Sequence, residues 1–448
     1  LNANGMAGAQ MMKKREPVKR DPLEAAIETA LRPGQFIDWR MGSTFTSELH
    51  GIAAQIDQVV STDPTRGVSL YESFLAGCYE KADEIDDDGY FGQIVEALYC
   101  GWVKARQAVG GDPDETVSLL IDRMENDPYG YAYQLEREAV KVLDEAGLAA
   151  FEGAVRTLFE VKDNPDQARH RWGPVLQAIY AQKQDVHAYV ALCEQTEFST
   201  QDCLMVALMH KAQGGFAEAL AWVERGLSID KKKPYESSAG YDLRKLRREL
   251  LAKLGRQDEA LADAWAEFEK TPSTYSYEEL MRFVPEAERA DWRAKALHAA
   301  ERGSLGSLID LLVETKETER LFGCLQEARD SALEGLSHFV TEPAAELLAE
   351  VHPEVAAKLF RAMGMRILNA KKSKYYHEAL ENFEDAKSCY ARAGMNHQWD
   401  AVVAEVRREH YRKVGFMPGF ERLVAGRSPG QKLSYLDRAR KRWLPRGS

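Results

Sequence analysis

Nearly every stretch of this sequence spaces its apolar residues as an α-helix does, and none alternates them as a half-buried strand does. In "FAEALAWVERGLSI", Phe216, Ala219, Leu220, Val223 and Leu227 fall on one helical face, with Glu218, Glu224 and Arg225 on the other. Short turn signals interrupt the period. In "GGDPDE", Asp112 stands at a helix N-cap, Pro113 at the first helical position and Glu115 in the first turn. "NDPYG" (126–130) and "DNPDQ" (163–167) carry the same device and predict further helix starts. Many helices joined by short loops predict an all-α protein. With 448 residues, 45% of them apolar, the chain can bury large cores. It is long enough for roughly two to four domains, or for one extended array whose repeats touch only their neighbours.

The helices repeat. "GGFAEALAWVERGLSID" (214–230) aligns with "LGRQDEALADAWAEFEKTP" (254–272), and "YYHEALENFEDAKSCYARAG" adds a third copy. Their Glu-Ala-Leu triplets begin at Glu218, Glu259 and Glu378, offsets of 41 and 119, close to one and three steps of one length. Weaker copies are "RADWRAKALHAAERG", "ETERLFGCLQEARD" and "HPEVAAKLFRAMG". The pattern resembles the tetratricopeptide repeat with looser spacing: alanine where two helices cross, an aromatic filling the gap to the next hairpin. Such hairpins expose apolar surface on both sides and must stack. The expected fold is therefore an α-solenoid of antiparallel helical hairpins, tetratricopeptide-like, with a concave face.

Two segments suggest more. "KSKYYHEALENFEDAKSCYARAGMNHQWDAVVAEVRREHYRKVGFMPGFE" (372–421) and "CYEKADEIDDDGYFGQIVEAL" (78–98) resemble an uncharacterised bacterial all-helical family. Its members occur alone or as the C-terminal part of SWIM-type zinc-finger proteins. The resemblance runs over roughly residues 45–425. A SWIM finger needs a CxC pair followed by C-x-H. This sequence has neither, so a zinc-linked role does not follow, and the family implies no established activity.

Net charge is −12, unevenly placed. Residues 13–20, "KKREPVKR", carry +4; from Arg407 onward twelve cations face three acids, +9; the remainder carries −25. An acidic body does not wrap nucleic acid along its length. The basic ends are suited to an anionic partner or to self-association with the acidic body. The layout expected is a basic segment over 1–20, an N-terminal helical region over 21–180, tetratricopeptide-like repeats over 181–425 and a basic tail over 426–448, whose "SPGQKLSYLDRARKRW" predicts one short helix. "LNANG" and "LPRGS" at the ends read as cloning remnants. No apolar run reaches the ~20 residues of a membrane span, and the basic N-terminal segment lacks the apolar stretch of a secretory signal. The six cysteines, at 78, 100, 193, 203, 324 and 389, form no CxxC pair and predict buried, reduced thiols in a cytoplasmic protein.

"DEIDDDGYFG" (83–92) is the stretch most like a metal site. With Gly89 at the sixth position of a calcium loop, Glu84, Asp86 and Asp88 fall at the first, third and fifth, and Phe91 at the eighth. Position twelve is then Val95, with Glu96 one place late, so the bidentate ligand is missing. An inter-helix turn built on Gly89 fits better. "HEALE" (377–381) lacks the second histidine of a zincin, His410 sits between arginines, and "GSLG" (303–306) is one residue short of a nucleophile elbow. No Gly-Lys pair or G-x-G-x-x-G occurs. Nothing here predicts an enzyme, a metal or a cofactor.

The positive signal is the C-terminal block. Lys371, Lys374, Tyr375 and Tyr376 are followed by Arg407, Arg408, Arg412 and Lys413, basic residues interleaved with aromatics. Such a set can clamp an acidic peptide through arginine–carboxylate forks, or hold phosphates and stack bases. It can equally be structural, with the tyrosines plugging a hairpin interface and "GFMPGFE" capping the last hairpin. The function expected is protein–protein interaction or scaffolding, taking a protein or acidic peptide on the concave face. The alternative is a nucleic-acid-associated accessory module that uses the basic C-terminal end.

Overall fold

Helix starts follow the local chemistry read above. An Asp-Pro pair opens α1 (Pro22–Ala30), α3 (Pro64–Lys81) and α5 (Pro113–Glu125). The aspartate accepts from a first-turn N–H, at 2.8 Å for Asp21, 3.1 Å for Asp63 and 3.0 Å for Asp112. Proline then occupies a position whose N–H has no helical partner. The structure, a computed structural model, describes residues 21–86, 89–132, 135–161 and 164–426. The expected N-terminal segment and the tail from 427 onward lie outside them.

Two compact units divide between Arg247 and Arg248. The boundary expected near residue 180 falls inside a helix. The first unit contains α1, α2 (Gly42–Val60), α3, α4 (Tyr90–Ala108), α5, α6 (Leu135–Val142), α7 (Glu145–Phe159), α8 (Pro165–Lys183), α9 (Val186–Thr196), α10 (Thr200–Ala212) and α11 (Phe216–Asp230). Helix α12 (Ser238–Lys253) contains the division itself. The second unit holds α13 (Gln257–Lys270), α14 (Thr274–Phe283), α15 (Arg289–Ala300), α16 (Leu305–Glu314), α17 (Thr318–Glu327), α18 (Asp330–Glu334), α19 (His338–Leu348), α20 (Pro353–Asn369), α21 (Tyr376–Arg392), α22 (Asn396–His410) and α23 (Met417–Val424). Among the described residues no strand forms; the sole bridge pairs Ile37 with Ile85. The architecture is all-α.

Within each unit, helices adjacent in sequence pack as hairpins, α3 on α4 and α10 on α11 in the first, α20 on α21 in the second. The alanines of the three triplets, Ala219, Ala260 and Ala379, are all fully buried. Backbone closeness is also bought with glycine. A Cβ on Gly101 would lie 2.3 Å from Cζ of Tyr71, and one on Gly364 would lie 2.8 Å from the Phe383 ring. Each large apolar side chain so buried contributes about 1.5–3 kcal/mol.

Buried polar groups tie one hairpin to another. Lys81, 1% exposed, donates to the carbonyls of Arg32 (2.9 Å) and Gln35 (2.5 Å) and to Glu84. Glu84 also accepts from the Gly34 N–H at 2.8 Å. The acidic stretch therefore begins as a knot holding the loop before α2 against the end of α3, and Gly89, at φ +90°, opens α4. Asp87 and Asp88 lie outside the described residues. In the second unit Arg361 of α20 pairs with Asp330 (3.3 Å) and Glu334 (3.0 Å) of α18 and with Glu405 (2.6 Å) of α22. Burial holds the Glu334 carboxyl above its ordinary range, against the pull of Arg361.

One expected start is absent. "NDPYG" is a loop: Asn126 ends α5, and the Asp127 carboxylate accepts from Ala132 N–H (2.6 Å) and from the Tyr79 hydroxyl (3.3 Å). A carboxylate engaged there is not available to cap a helix.

Candidate functional site

The C-terminal block folds as α21 to α23 with its connections. Phe416 and Phe420 are fully buried and stack on one another at 5.5 Å. Phe420 also meets Phe383 edge-on at 5.3 Å. "GFMPGFE" thus supplies the aromatic plug of the last hairpin, and Gly419 lets it approach, since a Cβ there would lie 2.5 Å from Leu380.

The predicted site residues divide into two groups around this plug. Arg407 forms a fork with Glu421 (2.9 and 2.6 Å), which holds the Glu421 carboxyl below its usual range. Arg408 pairs with Glu409 at 2.8 Å. Both pairs lie on α22 and α23, and all four side chains remain exposed. Of the others, Lys413 and Tyr376 meet across the loop after α22 and the start of α21, with Arg412 and Lys374 close to them in sequence. The Tyr376 ring packs edge-on against Phe416 at 5.6 Å, and Lys413 Nζ lies 5.9 Å from the centre of the same ring. Lys374 sits over Tyr375 at 4.8 Å and Arg412 over Tyr411 at 5.2 Å. Tyr411 is 61% and Val414 81% exposed. Lys371 is exposed at φ +55°, just after α20. The result is a solvent-facing edge of cations laid on aromatic rings.

The first unit has two concavities that the sequence did not announce. One, of about 290 Å³, lies between α3, α4 and α5 and is lined by Leu75, Tyr79, Tyr99, Trp102 and Leu119, together with Glu72 and Arg123. Its polar groups are largely matched: the Tyr79 and Tyr99 hydroxyls are 3.0 Å apart, and Trp102 donates to Glu72 at 3.2 Å. It suits an apolar side chain. The second, a wider cleft of about 610 Å³, lies between the end of α9 and α11. Phe198, Ile229 and Cys193 give it an apolar lining; Glu194 and Glu197 come from the α9 end; Arg225, Lys232 and Lys233 come from α11 and the turn after it. Burial pushes the Cys193 thiol up to about 12, so it offers no thiolate.

Arg225 read as an ordinary solvent-face residue. Its guanidinium lies 4.0 Å from the centre of Phe198 and 4.7 Å from that of Trp222, rings brought together only by the fold. The run Lys231–Lys233 in so acidic a chain was the available signal.

Among the described residues no group of three or more His, Cys, Asp or Glu is placed to hold a metal ion, and no helix is long and apolar enough to cross a membrane. The six cysteines are free; Cys78, Cys193, Cys203 and Cys389 are buried. No curated protein matches the chain. Among solved structures, a chain in the structure of Naa15/Naa10 bound to HypK-THB is similar at 12% identity and a TM-score of 0.35. That likeness covers 87% of this chain and 63% of the other's length. A family model described as "Family of unknown function (DUF6880)" matches residues 25–418, most of the chain, and the protein belongs to that family.

Proposed function

We propose that the chain is a non-catalytic scaffold that binds partner proteins, and that the exposed edge around Lys371, Lys374, Tyr375, Arg412 and Lys413 takes an acidic segment. The observation that carries this is the edge itself: cations resting on tyrosine rings, beside Tyr411 and Val414 at 61% and 81% exposure. Rings hold the cations in place and add apolar area, a combination suited to a carboxylate flanked by apolar residues. Other ionisable groups, such as Lys81 and Arg361, are consumed in ties between helices. The nucleic-acid reading shares the edge but has less support, because the body carrying it is strongly acidic. The fusion to SWIM-type zinc fingers expected from the sequence resemblance gives that reading no added weight, since the matching family model is described only as of unknown function.

The test is charge reversal with Lys371→Glu, Lys374→Glu and Arg412→Glu together, all exposed and outside the packed core. Loss of a partner protein that co-purifies from the native host, with melting unchanged, is the expected result. Retention of the wild type on a polyanion column at physiological salt, abolished by the same variant, would instead favour nucleic acid. Retention abolished only by deleting 427–448 would favour nucleic acid at the tail.

A further inference from the structure

The α9–α11 cleft sorts its charges by origin: both acids come from the end of α9, and all three cations from α11 and its trailing turn. Arg225 is ordered by Phe198 and Trp222, themselves 5.2 Å apart, and no carboxylate among the described residues pairs with it. Lys232 likewise has no partner among them, whereas Lys233 donates to Thr200 at 2.8 Å and lies 3.6 Å from Asp230. Glu197 ends α9 at φ +72° and ψ 133°, a conformation that side chains rarely adopt. Such strain persists only where the surroundings impose it, and the strained residue is one of those lining the cleft.

We propose that this cleft binds an extended segment of a partner protein in which acidic and basic residues alternate. An extended peptide sends successive side chains to opposite sides. Alternation therefore presents every carboxylate to the Arg225 wall and every ammonium to the Glu194 wall, with Phe198 and Ile229 beneath. A continuous polyanion gains at one wall and is repelled at the other, which disfavours nucleic acid. The proposal rests on the protein-binding reading above but uses other residues, in the other unit.

Two fluorescein-labelled dodecapeptides of equal composition test it on the full chain by fluorescence anisotropy, one alternating Glu with Lys, the other placing all Glu before all Lys. The alternating peptide is expected to bind about tenfold more tightly. Reversing one wall, with Arg225→Glu and Lys232→Glu or with Glu194→Lys and Glu197→Lys, should remove that preference. Reversing both walls together should restore it, because a slip of one residue exchanges the two sides of an alternating peptide. Should the Arg225 or Glu197 variants not fold, Lys232→Glu and Glu194→Lys, both exposed, make the same comparison singly and combined. Equal binding of the two peptides, no recovery on double reversal in a folded chain, or equal affinity for a dodecathymidine would overturn the proposal. Loss of the preference in the Lys371/Lys374/Arg412 variant would place binding at the other edge and also overturn it. Failure of the peptide test with partner capture at that edge intact would sink this inference alone.

Discussion

Lys81 shows how far a single residue can depart from its sequence appearance. In "CYEKADE" it reads as a surface cation, yet its ammonium is enclosed by two carbonyls and Glu84. No local pattern announces this, because the acceptors at Arg32 and Gln35 lie more than forty positions away. Lys81→Met would keep the packed stem and remove the donor. The two carbonyls, in a part-buried setting, then lose this partner, while Glu84, partly exposed, is rescued by water. A loss of roughly 2–4 kcal/mol is expected by denaturant unfolding, and an unchanged midpoint would show the knot to be ornamental. His410 makes the complementary case. Burial, and then Lys413, hold its imidazole below its usual range, with Glu409 and Glu405 pulling weakly the other way; Nε2 has no hydrogen-bond partner among the described residues. The unfolded chain therefore takes up the proton before the folded one does. The contribution is present above the unfolded value of about 6.5 and is lost as pH falls through the folded value. Wild type should lose stability more steeply than His410→Gln between pH 7 and pH 5; parallel pH profiles would exclude a buried, neutral His410.

At the scale of elements, what was legible depended on locality. Asp112 with Pro113 and the apolar face of α11 need only neighbours in sequence, and both fold as their spacing predicts. "NDPYG" has the same letters, but Asp127 is taken by Tyr79 from another helix, a competition that spacing cannot reveal. The same limit hid the α9–α11 cleft, since Phe198, Trp222 and Arg225 meet only after α10 folds back on α11. The candidate edge was legible in part: its residue types were named, while the diversion of Arg407 to Glu421 and of Arg408 to Glu409 depends on side-chain placement. The end of the stack is the element-level device with the clearest test. Phe420 is fully buried among Phe383, Trp399 and Phe416. Phe420→Ala removes that plug and should cost about 3–5 kcal/mol. The Lys371/Lys374/Arg412 variant, by contrast, should melt as wild type. A small effect of Phe420→Ala would mean the aromatic cluster does not close the last hairpin.

At the scale of the whole molecule, the decisive property is that, within each unit, helices pack mainly on elements near them in sequence, so damage should stay local. Gly101→Ala and Phe420→Ala probe this in the two units. The alanine Cβ would meet the buried Tyr71 ring, an overpacking that costs about 1–3 kcal/mol and outweighs the gain in helix propensity. Tyr71 cannot simply step aside, because its hydroxyl donates to Asp57 at 2.6 Å. The packing partners of Phe420, namely Phe383, Trp399 and Phe416, are not among those of Gly101. Hydrogen exchange should therefore show lost protection in α3 and α4 for Gly101→Ala, with α20 to α23 unchanged, and the reverse for Phe420→Ala. The stability changes should add to within about 0.5 kcal/mol in the double variant. Protection lost throughout the chain from either single change would mean that the two units unfold as one cooperative body, and the hairpins would then no longer stand as separate, locally supported parts.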